Sequence, residues 1–224
     1  MEFRRTNISD VNSVMKIISQ SQSYFKSKGI DQWQNNYPNE NTIMEDINNG
    51  YSYVLEKDNK IIATLALSFN GEVTYNKIYE GEWLSNEKYA IIHRIAVDND
   101  LKGNGISSYL IKCVKKIALD LNVHSIKVDT HEDNISMQRL LEKNDFKYCG
   151  IIYLEDGNKR ILTTNDLLIY TFELIEDEIN IDSIEEYKQE HTERCIDIDI
   201  RNKMNEILQA VKQIDKRVKK IEEK

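Results

Sequence analysis

Between Tyr89 and Leu121 an apolar strand ending at Val97 passes into a loop with glycines at 103 and 105, and that loop opens a helix. Gly103 and Gly105 reach backbone angles closed to other residues and let successive N–H groups converge on one phosphate. The helix from Ile106 to about Leu121 adds unpaired N–H groups and a partial positive charge at its start. Such a unit is an anion cradle suited to a diphosphate. Taken as an isolated fragment it is also an ordinary turn. No Gly-Lys-Ser/Thr sequence closes the loop, and the three-glycine dinucleotide spacing is absent, so neither a magnesium-nucleotide loop nor a dinucleotide fold is indicated.

The surrounding pattern places this unit in a mixed sheet. A short strand at Phe3 to Thr6 precedes a helix carrying Val11, Val14, Met15, Ile17 and Ile18 at helical spacing, expected to run to about Phe25. Lys28 to Glu40 is a loop containing Trp33 and Tyr37, which either line a pocket or pin the loop to the core. Asn41 to Asn49 reads as a second helix, and Tyr51 to Lys57 with Lys60 to Phe69 as a hairpin turning at Asp58 and Asn59. Strands at Ser125 to Thr130, Lys147 to Leu154 and Arg160 to Leu174 and a helix at Ser136 to Asn144 complete the order β-α-α-β-β-β-α-β-α-β-β. The expected class is α/β (α+β), a mixed and mainly antiparallel sheet flanked by helices.

Residues 1 to about 176 resemble the GNAT acetyltransferase superfamily. The likeness rests on Ile95-Ala96-Val97, on Lys102-Gly103-Asn104-Gly105-Ile106-Ser107 between strand and helix, and on Asp145-Phe146 after the next helix. Lys102 stands where the family loop has Arg or Gln, and Ser107 where it ends on a small residue. A narrower bacterial subgroup is resembled through Asp31 to Gln34, Tyr37-Pro38, Glu80 to Trp83, His93-Arg94 and Asp129 to His131.

The resemblance implies acetyl-coenzyme A as donor, its pyrophosphate on Lys102, Gly103, Asn104, Gly105, Ile106, Ser107 and Ser108. Its pantetheine arm would pair along Ile95, Ala96 and Val97 like an added strand, leaving a free amide to polarise the thioester carbonyl. Asn134 stands where the family often contacts coenzyme A, and is also placed to cap a helix. Transfer to an alkylammonium requires a base, since its pKa lies near ~10.4. His93 is the first candidate, with an intrinsic pKa near ~6.5 and strand parity that would align it with Ile91, Ile95 and Val97. A buried, hydrogen-bonded core role is the alternative. Glu82 is the second candidate, as base or water relay, or else part of a solvated acidic stretch.

Trp33, Tyr37, Trp83, Asp129 and His131 are the expected acceptor residues, the last two equally able to anchor a loop. Leu141 stands where many family members carry the tyrosine that protonates the leaving thiolate. Tyr148, Tyr153 or solvent would have to serve instead. The function expected is direct acetyl transfer to a primary amine of a small molecule or peptide; the alternative is an inactive acyl-coenzyme A-binding module with an assembly tail.

Net charge −8 and a sequence pI of about 5.2 argue against nucleic-acid binding. The cysteines Cys113, Cys149 and Cys195 are scattered and odd in number, suggesting reduced thiols and no metal site. No signal segment or bilayer-length apolar run is seen, and a cytoplasmic protein without membrane contact is expected. Residues 177–200 carry nine acids against Lys188 and Arg194, an acidic linker. Residues 201–224 carry eight Lys or Arg against four acids, with Met204, Ile207, Val211, Ile214, Val218 and Ile221 spaced by three and four. That is the seam of a coiled coil, hence a homo-oligomer, or of a helix docking on its own domain.

Overall fold

Helical and strand periodicities in this chain resolve into seven strands and four α-helices, described for residues 1–154 and 157–166 of the computed structural model. In chain order they are β1 (Glu2–Arg5), α1 (Val11–Ser27), α2 (Glu40–Asn48), β2 (Ser52–Lys57), β3 (Lys60–Ser68), β4 (Ala90–Val97), α3 (Ile106–Asp120), β5 (Ser125–Thr130), α4 (Ile135–Lys143), β6 (Lys147–Tyr153) and β7 (Lys159–Asp166). This is the expected order, with ends moved by a few residues; the end expected for the last strand, at Leu174, lies outside the described residues. The linker and heptad seam read from residues 177–224 lie outside the described residues.

The strands form one sheet in the order β1-β2-β3-β4-β5-β7-β6. β4 and β5 run parallel and the other neighbours antiparallel. Asp58 and Asn59, at φ 51° and 60°, make the tight β2–β3 turn that their residue types predict. One face of the sheet carries α3 and α4: Leu110, Ile111, Val114, Ala118 and Leu141 pack on Leu65, Leu67, Ile92 and Val128. Each fully buried Leu or Ile there contributes roughly 1.5–3 kcal/mol. The other face carries α1 and α2, with Val14, Ile17, Ile18 and Ile43 against Val54 and Ala96. Beside them the 75–89 connection covers Ile91, Ile152 and Leu162 with Tyr75, Trp83 and Tyr89.

Two irregularities shape the middle of the sheet. β4 pairs with β5 only at Ala90–Ile126 and Ile91–Lys127, so the strands part beyond Ile91. On its other edge β4 carries a bulge. Thr64 faces Ala96 and Ala66 faces His93, which leaves Arg94 and Ile95 together opposite Leu65, with Arg94 at φ 51°.

The bulge corrects one expectation. Counting by twos put His93 on the face of Ile95 and Val97, but the extra residue reverses parity across it. Ile95 and Val97 pack with Ala90 and Ile92 on the α3 face, whereas His93 shares the opposite face with Ile91 and Ala96.

Candidate active site

The parting of β4 from β5 opens a cavity of about 710 Å³ on the α1–α2 face. β4 supplies Ile92, His93, Arg94 and Ile95, and β5 supplies Val128, Asp129 and Thr130. Trp33 and Tyr37 from the loop after α1 line it too, so the aromatic loop both packs and lines. Trp33 meets the edge of Phe25 at 5.5 Å, while Tyr37 Oη accepts a hydrogen bond from Arg94 Nη1 at 2.8 Å.

His93 stands among charges from several elements. Burial holds its pKa below the ordinary histidine value, with Asp129, Glu72 and Asp46 opposing that shift and Arg94 reinforcing it. The ring is therefore neutral at neutral pH and able to accept a proton. Asp129 Oδ1 accepts from Tyr75 Oη at 2.6 Å, which fixes the carboxylate beside the cavity. Burial and the facing Asp129 push the Tyr75 phenol well above its usual range.

Arg94, turned by the bulge, reaches α2. Its Nε and Nη2 donate to the two carboxylate oxygens of Asp46 at 2.9 and 2.6 Å. The fork fits a carboxylate in two places at once. Burial nevertheless raises the Asp46 pKa, outweighing the guanidinium beside it.

Other expected residues lie elsewhere. Glu82 is exposed and Trp83 packs against the sheet, and neither lines the cavity. Trp83 Nε1 donates to the Tyr75 carbonyl at 2.9 Å, and its ring covers Lys127 Nζ at 3.7 Å. Gly81 explains this segment, because a Cβ there would stand 2.0 Å from the Cys149 carbonyl oxygen. The Glu80 to Trp83 stretch is thus a docking strap. His131 is also off the cavity lining; its Nδ1 accepts from the Asp133 amide at 3.1 Å, the loop-anchor role. Asn134 does line the cavity: it caps α4 by accepting from the Met137 amide at 3.1 Å, and its Nδ2 donates to Oε1 of Gln32, another lining residue, at 2.8 Å.

Sequence reasoning passed over Asp46, Glu72, Tyr75 and Arg160, all at or beside the cavity. Asp46 could have been found: it falls three residues after Ile43 on the buried stripe of α2, where a carboxylate needs a partner.

The glycine loop fits a phosphate. Gly103 and Gly105 have φ of 83° and 77°, and a Cβ on either would meet nothing within 4 Å. Gly105 is also the residue before α3, whose first turn directs its amides to the same space. Ile106 anchors the turn in the core, and Ser108 Oγ accepts from Asn144 Nδ2 at 3.0 Å. Lys102 Nζ rests over the Tyr24 ring at 4.7 Å, and Asn104 Nδ2 turns back to the Leu101 carbonyl at 3.2 Å. Beyond Ile91, β4 has no ladder pairing to β5, and the buried Thr130 Oγ1 has no hydrogen-bond partner. A parted edge of this kind accommodates an amide-bearing arm such as pantetheine. Among the described residues, no group of three or more His, Cys, Asp or Glu could hold a metal, and no helix is long and apolar enough to cross a membrane.

A mixed sheet parted in its middle, with a glycine loop joining β4 to α3, defines the acyltransferase architecture. The family model described as "Acetyltransferase (GNAT) family" matches residues 15–146, and the chain belongs to that family. It is similar to a GNAT-family acetyltransferase from Streptococcus agalactiae, at 30% identity and TM-score 0.68, covering 74% of this chain and 94% of that one. A GNAT-family acetyltransferase from Listeria monocytogenes shares the fold at 18% identity and TM-score 0.59, covering 74% and 94% of the two chains. The ribosomal-protein-S18-alanine N-acetyltransferase from Escherichia coli does so at 15% identity and TM-score 0.51, covering 74% and 93%. A comparison with curated proteins gives no match.

Proposed function

We propose that this chain is an acetyl-coenzyme A-dependent N-acetyltransferase that moves the acetyl group directly to a primary amine. The carrying observation is the parted β4 edge, which holds a neutral His93 in the cavity and runs on from Val97 into the glycine loop before α3. Acetyl-coenzyme A supplies an activated thioester carbonyl. The amides from Gly103 to Ser108 hold its diphosphate, and Ile95, Ala96 and Val97 offer backbone groups to its amide-bearing arm. His93 takes a proton from the acceptor ammonium, and Asp129, tied to Tyr75, favours the imidazolium that results. The amine nitrogen then forms the C–N bond and sheds its second proton to solvent as the C–S bond breaks, solvent protonates the departing thiolate, and the His93 imidazolium releases its proton to solvent.

One observation favours a second reading, a catalytically silent acyl-coenzyme A-binding module. Leu141, at the family's tyrosine position, is fully buried in the core and presents no proton donor. A free thiol leaves with a pKa near ~8.5, so unassisted departure suffices at neutral pH. The acidic linker, the C-terminal coiled coil, the homo-oligomer and a cytoplasmic site of action belong to the same proposal.

Thiol release from acetyl-coenzyme A over a panel of amines and peptides tests the reading. Turnover that His93→Gln lowers a hundredfold or more, with coenzyme A binding kept, is expected. Binding without turnover on any acceptor would replace the transferase by the module. Coenzyme A binding that survives Gly105→Asp would remove the phosphate assignment.

A further inference from the structure

Arg160, the second residue of β7, is only 8% exposed, yet its guanidinium meets no carboxylate among the described residues. Its hydrogen bond there runs from Nη1 to the Lys159 carbonyl at 2.9 Å. A buried guanidinium without a counter-charge is costly, and a cavity is where such a charge finds one. Arg160 lines the cavity that holds His93.

Strand register places it relative to the other charges. Arg160 alternates with Leu162, which packs with Ile91 and Tyr75, so it belongs to the His93 face of the sheet. Asp129 lies opposite Leu162. Asp129 and Arg160 are therefore diagonal neighbours across β5 and β7, about 7–8 Å apart by sheet geometry. The carboxylates that are not exposed have partners: Asp46 has Arg94, Asp129 has Tyr75, and Glu72 accepts from Thr74, while Asp31 and Glu45 line the cavity from exposed positions. A cationic group at one end and a carboxylate beside the base at the other match a zwitterion.

We propose that the acceptor is a small molecule carrying both a primary amine and a free carboxylate, of the amino-acid class, with Arg160 holding the carboxylate while the amine faces His93 and Asp129. This rests on the transferase reading above. A peptide N-terminus, which has an amide in place of that carboxylate, and a polyamine are the competing acceptors.

The test measures kcat/KM with acetyl-coenzyme A for the free α-amino acids, β-alanine and γ-aminobutyrate, for the carboxamide of each, and for spermidine. The best acid is expected to exceed its own carboxamide about ten- to hundredfold, the worth of a charge-assisted contact. Arg160→Gln should bring that ratio towards one, and Arg160→Lys should restore part of it. Carboxamides or spermidine used as well as the acids, or a ratio unmoved in Arg160→Gln, would overturn the proposal while leaving the transferase reading intact. Retained coenzyme A binding with no turnover across the panel would overturn both. The acid-to-amide ratio of the unaltered protein decides the matter even if the variants do not fold.

Discussion

Arg94→Met isolates the ion pair under the cavity, because it keeps an unbranched side chain at the bulge while removing every hydrogen bond the guanidinium makes. Arg94 donates twice to Asp46, at 2.9 and 2.6 Å, and once to Tyr37 Oη at 2.8 Å; the Asp46 carboxylate is buried and the Arg94 side chain, 16% exposed, largely so. Removing one member of a buried pair costs about 3–5 kcal/mol, because the other charge is left without compensation. For a domain of this size that corresponds to a fall in Tm on the order of 10 °C. The loss should depend on pH in a definite direction. Asp46 already has a raised pKa from burial, and losing Arg94 raises it further. A carboxylate raised in the folded state contributes stability at low pH that disappears as pH rises through the folded value. Urea titrations should therefore show a larger deficit at pH 7.5 than at pH 5. Asp46→Asn in the same chain should recover part of it, since no lone buried carboxylate remains. A single-variant loss below about 1 kcal/mol, equal deficits at the two pH values, or strict additivity of the two substitutions would refute the reasoning.

Gly81→Ala should cost about 2 kcal/mol or more and shift tryptophan emission to the red, because its Cβ would stand 2.0 Å from the Cys149 carbonyl oxygen and lift the strap; a change within about 0.5 kcal/mol would refute the docking. Lys127, buried between Trp83 and Tyr89, has its pKa lowered by burial to about 8. The unfolded chain then holds the extra proton above that value, so the urea midpoint should rise from pH 8 towards 10, and Lys127→Met should flatten the rise. A chain ending at Glu176 should sediment as a smaller oligomer than the full chain, and an unchanged state would reject the C-terminal seam. In the pH profile of kcat/KM, the acid limb should fall below the ordinary histidine value near ~6.5, because burial lowers the His93 pKa. Its persistence in His93→Gln would assign that limb to another group.

The order of elements was legible because local signals agree. Asp58-Asn59 fits its turn, and the apolar stripe of α3 begins at the residue after Gly105. The glycine loop was readable for the same reason: its conformation depends on its own residues. The face of His93 was not, since nothing in the residues around Arg94 announces a bulge, and one unannounced residue inverts a count by twos. Glu82 and Trp83 were misplaced because charge and aromaticity beside a glycine describe a pocket rim and a docking strap equally well. What separates them is the approach of Gly81 to β6, a long-range contact. Arg160 was silent for a similar reason. An arginine near a strand end is ordinary until the register of β6 and β7 shows it facing inward.

The bulge at Arg94 has an evolutionary and engineering corollary. A one-residue deletion at Arg94 would leave Ile95 alone opposite Leu65 and keep the Ala66–His93 and Thr64–Ala96 pairs, so every remaining side chain of β4 would keep its face. What would be lost is the reach to α2, the fork on Asp46 and the bond to Tyr37. A deletion elsewhere in β4 would instead invert the faces on one side of the gap. The bulge is thus the one place on this strand where loss of length amounts to loss of a single side chain, and lineages of this protein should tolerate a change in number there more readily than anywhere else along β4.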